Sequence, residues 1–505
     1  MKNSANENVA LAAEDVLNII HNKAGSVVSE AYQELWNPEV QAKIDEAIDR
    51  NRKADATFIL EDVPSGTEVS VEQLDHEFRF GAHIFNFNQL GSDACNERYK
   101  DLYGSFFNSA TIPFYWRTLE PDEAEPRFEG RFEDSAEFWN TVTDPKRQPH
   151  WRRPAPDPIV EFCEQKKIHL HGHTLVWGNE IWHNPLWMRE KLPARFRRMV
   201  ELVDGNMPIK APLFDDLSIE QLERMMPEFT LELHKQMARR IYEIGLRYKG
   251  RLSSWDIVNE SSTDFREGKM VPGAGLCKSW YGLMPGDYAF RAFKLAESIF
   301  PESLLLNIND YNMDEHYLAQ VKSLLSRGCK VDAIGAQMHL FDPEVCRAIA
   351  MGESRKQCPA QVYEELNRLS EAGLPLHLSE ITITSPDSSE YGQMVQAIIA
   401  RNLYRLWFSL PMMSAISWWN VVDDCGAPGE PSYSGLFFRD MTPKASFHAL
   451  NDLIHNEWKT KLELSALDDG SVRFRGFPGR YQVKWTDADG SERSAEFVLK
   501  SSAHA

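Results

Sequence analysis

Long apolar runs are missing from this chain of 505 residues. No stretch approaches the roughly 18 consecutive apolar residues that a membrane-spanning helix needs, so no segment is expected to cross a bilayer. Cysteines are few and scattered. The seven (Cys95, Cys163, Cys277, Cys329, Cys346, Cys358 and Cys425) form no C-x-x-C pair, which argues against a zinc ribbon and against a disulfide framework. Positive charge is in short supply, with 55 Lys and Arg against 75 Asp and Glu for a net charge of −20. That balance argues against nucleic acid and anionic membranes as main partners and suits neutral small molecules or sugars. The first twenty residues, MKNSANENVALAAEDVLNII, lack a basic stretch followed by an apolar one. The expectation is a soluble cytoplasmic protein, or a periplasmic or secreted one if an export signal was trimmed away.

What is present divides into parts. Residues 1–55 are polar and helical in pattern, rich in Ala, Glu and Lys. ATFILEDV and TEVSVEQL then alternate around PSG, which predicts a β-hairpin within 56–76. At the other end, residues 458–505 alternate around DDG and DADG, predicting a small antiparallel β unit. Neither β piece is large enough to be stable alone, and the two are expected to complete each other.

Between them, over 77–457, short apolar runs recur, each followed by a helix-length segment. They are FRFGAHIF, NSATIPFY, IHLHGHTLVW, RLSSWDIVNE, LLLNINDYN, AIGAQMHL, LPLHLSEITI and AISWWNVVD. Eight strands alternating with helices predict an α/β protein, a (β/α)8 barrel. A doubly wound sheet also alternates, but FGAHIFNFNQLG after the first run is no G-x-G-x-x-G phosphate loop.

A barrel places its chemistry where the strands end, and polar residues do collect there. Strand three ends near His171, His173 and Trp177, and strand four at Asn259 and Glu260. Strand five offers Asn309, Asp310 and Tyr311; strand six, Gln337 and His339; strand seven, Glu380; strand eight, Trp418, Trp419 and Asp423. A strand-end Glu alone is more often a cap or an ion-pair partner, and paired tryptophans are often plain core. Six strand ends of one character point to a site. Two carboxyls flanked by His, Asn, Gln and Trp suit cleavage of a glycosidic bond. One carboxylic acid protonates the leaving oxygen, and the other attacks the anomeric carbon from roughly 5–5.5 Å away. Tryptophan faces cover sugar C–H groups, amides bind hydroxyls, and no metal or other cofactor is required.

With these motifs the sequence resembles glycoside hydrolase family 10, the retaining β-xylanases. The family's H-T-L-V-W stands at 173–177, and its W-D-V-V-N-E appears as Trp255-Asp256-Ile257-Val258-Asn259-Glu260. N-D-Y-N is intact at 309–312, and Q-x-H is Gln337-Met338-His339. The nucleophile strand matches less well as Leu378-Ser379-Glu380-Ile381-Thr382, and W-G-V-x-D becomes Trp419-Asn420-Val421-Val422-Asp423. The resemblance implies Glu260 as acid/base, Glu380 as nucleophile and a β-glycan or β-glycoside substrate. It further implies that Asn259 holds a sugar 2-hydroxyl and His339 orients Glu380, with His173, Trp177, Tyr311, Gln337 and Trp419 completing the substrate site.

One departure is large. The family's T-P-E-N-E-M-K-W after strand two, whose Glu, Asn and Lys grip the glycone side, is replaced by Thr111-Ile112-Pro113-Phe114-Tyr115-Trp116. Aromatics are therefore expected to rebuild that side of the cleft. Gly178 likewise replaces a His that follows the family's H-T-L-V-W. Two rival readings stand beside this one. A metal-dependent hydrolase would use the His171/His173 pair, although such barrels carry H-x-H on strand one rather than three. A silent sugar-binding barrel would not need both Glu260 and Glu380.

Overall fold

A computed structural model describes residues 10–60, 63–179, 182–194, 219–266, 268–270, 287–487 and 489–501. The eight apolar runs are all strands: Arg79–His83, Ser109–Pro113, His169–Trp177, Ser254–Asn259, Leu305–Asp310, Ala333–Leu340, Leu376–Ile383 and Met413–Trp418. They pair in parallel, in chain order, and the eighth closes on the first through Ala415 opposite Arg79 and Trp418 opposite Ala82. The strands are almost wholly buried, as parallel strands covered on both faces must be, which is why they appear in the sequence as continuous rather than alternating apolar runs. Helices follow the strands around the outside, from Asp93–Phe106 to Ala445–Asp452. Several start with proline at the first helical position (Pro156, Pro227, Pro343 and Pro359), where its missing N–H has no partner to lose. No helix among the described residues is long and apolar enough to cross a membrane.

The N-terminal segment folds as helices Ala13–Asn22, Glu30–Leu35 and Pro38–Arg52. Pro38–Arg52 packs along helix Glu390–Ser409, which is buried on nearly every side, and Ala13–Asn22 packs against helix Ala445–Asp452. Asn51 donates to Ser409 O at 2.8 Å, and the Arg52 guanidinium donates to Phe408 O and Leu410 O. These bonds satisfy carbonyls that the end of a helix would otherwise leave orphaned.

The terminal β pieces do form one unit, but the expected 56–76 hairpin does not exist. Ala54–Ile59 pairs antiparallel with Ser471–Gly476, while Glu68–Gln73 lies between Lys461–Ser465 and Gly479–Thr486. The two N-terminal strands thus enter different sheets, and the second sheet ends on Glu492–Leu499. Each strand has one apolar face. A hairpin alone would leave both faces wet, whereas two facing sheets bury Ala56, Val69, Val71, Val472, Tyr481 and Val483 together. Phe477, beside Phe408 and His76, joins this unit to the barrel.

Candidate active site

Strand four delivers the first carboxyl. Glu260 follows Asn259 directly, with its N–H donating to Asn309 O at 2.7 Å and its backbone left-handed at φ 52°. A non-glycine residue held there is strained, and such strain collects at functional positions. Its Oε2 accepts from Trp177 Nε1 at 3.2 Å and its Oε1 from Gln337 Nε2 at 3.2 Å. Burial, and then the charges of Glu380 and Asp310, push this carboxyl up from 4.5 to about 8. Glu260 therefore holds a proton at neutral pH.

Strand seven delivers the second. Glu380 sits opposite Gln337, where the register between strands six and seven shifts, a break that re-aims side chains at a strand end. Its Oε1 accepts from Asn309 Nδ2 at 2.9 Å, and His339 Nε2 lies 3.4 Å from Oε2. His339 is set by Thr382 Oγ1, 2.9 Å from its Nδ1, and by Phe341, stacked at 4.4 Å. Asn309 Nδ2 also donates to Asn259 Oδ1 at 2.8 Å, and Ser379 Oγ donates to Asn309 Oδ1 at 2.5 Å. Asn309 thus links the two strand ends that carry the carboxyls.

All nine residues expected at the site (His173, Trp177, Asn259, Glu260, Tyr311, Gln337, His339, Glu380 and Trp419) line one cleft of about 680 Å³. Trp419, Tyr115 and Trp177 on its wall pack with Phe85 behind them in an aromatic cluster. Trp418 belongs to the core instead, its indole N–H donating to Asn420 O at 2.8 Å. Asp423 is also drawn away, into a buried ion pair with Lys444 at 2.9 Å.

The His171/His173 pair is arranged around a carboxylate. His173 Nδ1 lies 2.8 Å and His171 Nε2 2.9 Å from the same oxygen of Asp256, while His171 Nδ1 meets Ser254 Oγ at 2.8 Å. Burial pushes the Asp256 carboxyl up, but the two imidazoles outweigh it and hold it well below the carboxylate range. Among the described residues, the one cluster with three potential metal ligands is His21, Asp452 and Glu457, away from the cleft, where Arg401 pairs with both carboxylates.

The rebuilt glycone side differs from expectation. Of Pro113, Phe114, Tyr115 and Trp116, Tyr115 alone lines the cleft. Phe114 packs 4.5 Å from Trp255 beneath the barrel rim, and Trp116 turns away to donate to Glu120 Oε2 at 2.9 Å. Arg153 lines the cleft beside Tyr115, its guanidinium 3.7 Å over the ring. Sequence reasoning missed Arg153, which lies in a loop before helix Pro156–Lys166 with no motif around it. It placed Asn309 at the end of strand five and within N-D-Y-N but gave it no role.

Comparison with known proteins agrees with this geometry. The chain is 25% identical to endo-1,4-beta-xylanase B of Thermotoga neapolitana over 338 residues, covering 64% of this chain and 80% of that protein. It is 24% identical to endo-1,4-beta-xylanase C of Paenibacillus barcinonensis over 433 residues, covering 79% of this chain but only 33% of that longer protein. Among solved structures, native xylanase 10B from Thermotoga maritima superposes with a TM-score of 0.52 at 21% identity, over 75% of this chain and 96% of that one. That likeness shows the fold. The model of the family described as "Glycosyl hydrolase family 10" matches residues 136–453, beginning just beyond the segment where the glycone grips are replaced. With well over half of its length matched, the chain belongs to glycosyl hydrolase family 10, and it is a glycoside hydrolase.

Proposed function

We propose that this glycoside hydrolase cleaves β-1,4-xylosidic bonds, or those of a related decorated β-glycoside, with retention of configuration by double displacement. Glu380 attacks the anomeric carbon while Glu260 gives its proton to the departing glycosidic oxygen, so a C–O bond to the leaving sugar breaks as a glycosyl ester to Glu380 forms. Glu260, now a carboxylate, takes a proton from water, and the water oxygen displaces Glu380 and restores both carboxyls. Asn259 Oδ1 is engaged by Asn309 and Gln337, which leaves its NH2 for a sugar hydroxyl. Trp177 and Trp419 supply the flat walls.

The observation that carries this reading is the contrast between two buried carboxyls in one cleft. Glu260 is pushed up to about 8, whereas Glu380 is met by an amide donor and an imidazole. Paired carboxyls in unlike surroundings divide into acid and nucleophile. The xylanase names of the relatives support xylose as the sugar. The test is the anomeric configuration of the first product, followed by NMR on an aryl β-xyloside. Retention is expected, and Glu380→Ala is expected to lose several orders of magnitude in rate and to recover with added azide, giving inverted glycosyl azide. Net inversion by the unaltered enzyme would sink the proposal.

A further inference from the structure

Arg153 is only 9% exposed, yet it faces the cleft. Nη1 donates to Arg152 O at 2.8 Å, and the guanidinium lies over Tyr115 and, at 5.2 Å, Phe85. Among the described residues, no carboxylate lies within ion-pair distance of it. Other buried cations have their counter-charge: Arg401 has Asp452 at 3.1 Å and Lys444 has Asp423 at 2.9 Å. Arg240 gives its donors to the carbonyls of Phe114, Thr174 and Leu175. A desolvated guanidinium with no carboxylate at ion-pair distance among the described residues is unfavourable in the free protein and favourable toward an anion that arrives.

The surroundings extend the same character. Past Arg153 the cleft meets a second cavity of about 390 Å³, whose described lining shares Arg153, Trp182, Ala427 and Pro428 with it. That lining includes Arg117, Lys146, Arg147, Arg152 and Arg153 and no carboxylate, in a chain whose net charge is −20. The loop bearing it is anchored, since Trp151 Nε1 donates to Gly426 O at 3.0 Å and Arg152 N to Gln89 Oε1 at 2.7 Å. The positive basin is thus a fixed feature of the glycone end.

We propose that the glycone side of this cleft selects a sugar bearing an anionic substituent, a uronic-acid carboxylate, with Arg153 as the residue that recognises it. The planar fork suits a carboxylate, and a sulfate ester is the other source of the same charge. The proposal rests on the glycosidase reading only for which end of the cleft is the glycone end.

The test uses the full chain carrying Glu380→Ala, so that binding is measured without turnover. Calorimetry compares three xylo-oligosaccharides of equal length: neutral, glucuronic-acid-bearing at the non-reducing end, and sulfated there. The uronate is expected to bind at least tenfold more tightly than the neutral sugar at low salt, with the advantage shrinking as salt rises. Arg153→Gln is expected to remove most of that advantage and Arg153→Lys to keep part of it. If Arg153→Gln does not fold, the acid-to-neutral ratio and its salt dependence in protein retaining Arg153 decide. Tighter binding of the sulfated sugar assigns the anion to a sulfate ester and upholds the charge selection. Equal affinity for all three, or an advantage that survives Arg153→Gln in folded protein, overturns it. Selective binding with no hydrolysis of any of the three by the unaltered enzyme would fault the glycosidase reading alone. Hydrolysis of neutral and acidic sugars with equal kcat/KM would fault the anion site alone.

Discussion

At the scale of single residues, the proton on Glu260 is expected to decide both activity and part of the stability. With the carboxyl pushed up to about 8, kcat/KM on unactivated β-glycosides is expected to fall about tenfold per pH unit above that value. Glu260→Ala is expected to lose natural substrates yet keep the first step on a dinitrophenyl glycoside, whose leaving group needs no proton. Equal losses on both substrates would remove Glu260 from the acid role. For stability the direction is fixed by the folded value lying above the ordinary 4.5. The contribution is fully present below 4.5 and is lost as pH rises toward about 8. Relative to the parent, Glu260→Gln is therefore expected to melt higher at about pH 9 than at about pH 4, a comparison that differential scanning calorimetry makes directly.

At the scale of elements, strand ends hold the site through close contacts between neighbours. A Cβ at Gly335, on strand six, would stand 2.3 Å from Asn309 Oδ1. Asn309 bridges Asn259 and Glu380, so Gly335→Ala is expected to lower kcat by about tenfold or more by misplacing Glu380. Its far-ultraviolet spectrum should be unchanged, and an unaltered kcat would show that the bridge does not position Glu380. The loop after strand two bears on substrate length. Without the family's three polar grips, and with Tyr115 and Arg153 in the cleft, a second neutral xylose is expected to find few partners. Binding energy from a remote ring lowers the barrier only where that ring is held. The gain in kcat/KM from aryl xyloside to aryl xylobioside is expected to stay below about a hundredfold, on the order of less than 3 kcal/mol. A larger gain would restore ordinary recognition of linear xylan.

At the scale of the whole molecule, the chain ends are structural. Deleting residues from Lys461 onward would strip strand Glu68–Gln73 of both neighbours and Ala54–Ile59 of its partner. It would also remove Phe477 from its place against Phe408. The truncated protein is expected to melt well below the full chain or to aggregate through the bare strand edges, which a melting curve and size-exclusion chromatography would reveal. A soluble truncation with unchanged melting would make the unit a passenger. Within it Tyr481 is fully buried and stacks on Phe497 at 5.2 Å, whereas Phe58, Phe474, Trp485 and Phe497 are half-buried.

The sequence alone carried the barrel and most of its site, because both are local facts. Continuous apolar runs such as LHLSEITI mark strands buried on both faces, and a barrel must present chemistry at their last residues, as with Asn259, Glu260 and Glu380. Pairing between distant segments was not local. TEVSVEQ has the same alternation whether its neighbour is ATFILE or residues four hundred positions away, and only burial of two faces together chose the latter. The direction of Phe114 and Trp116 into the core, against Tyr115 into the cleft, likewise depended on which sides of that short segment the barrel left open. Arg153 was invisible for the same reason. A guanidinium in a loop acquires meaning only when tertiary structure removes its water and places no carboxylate within ion-pair distance among the described residues.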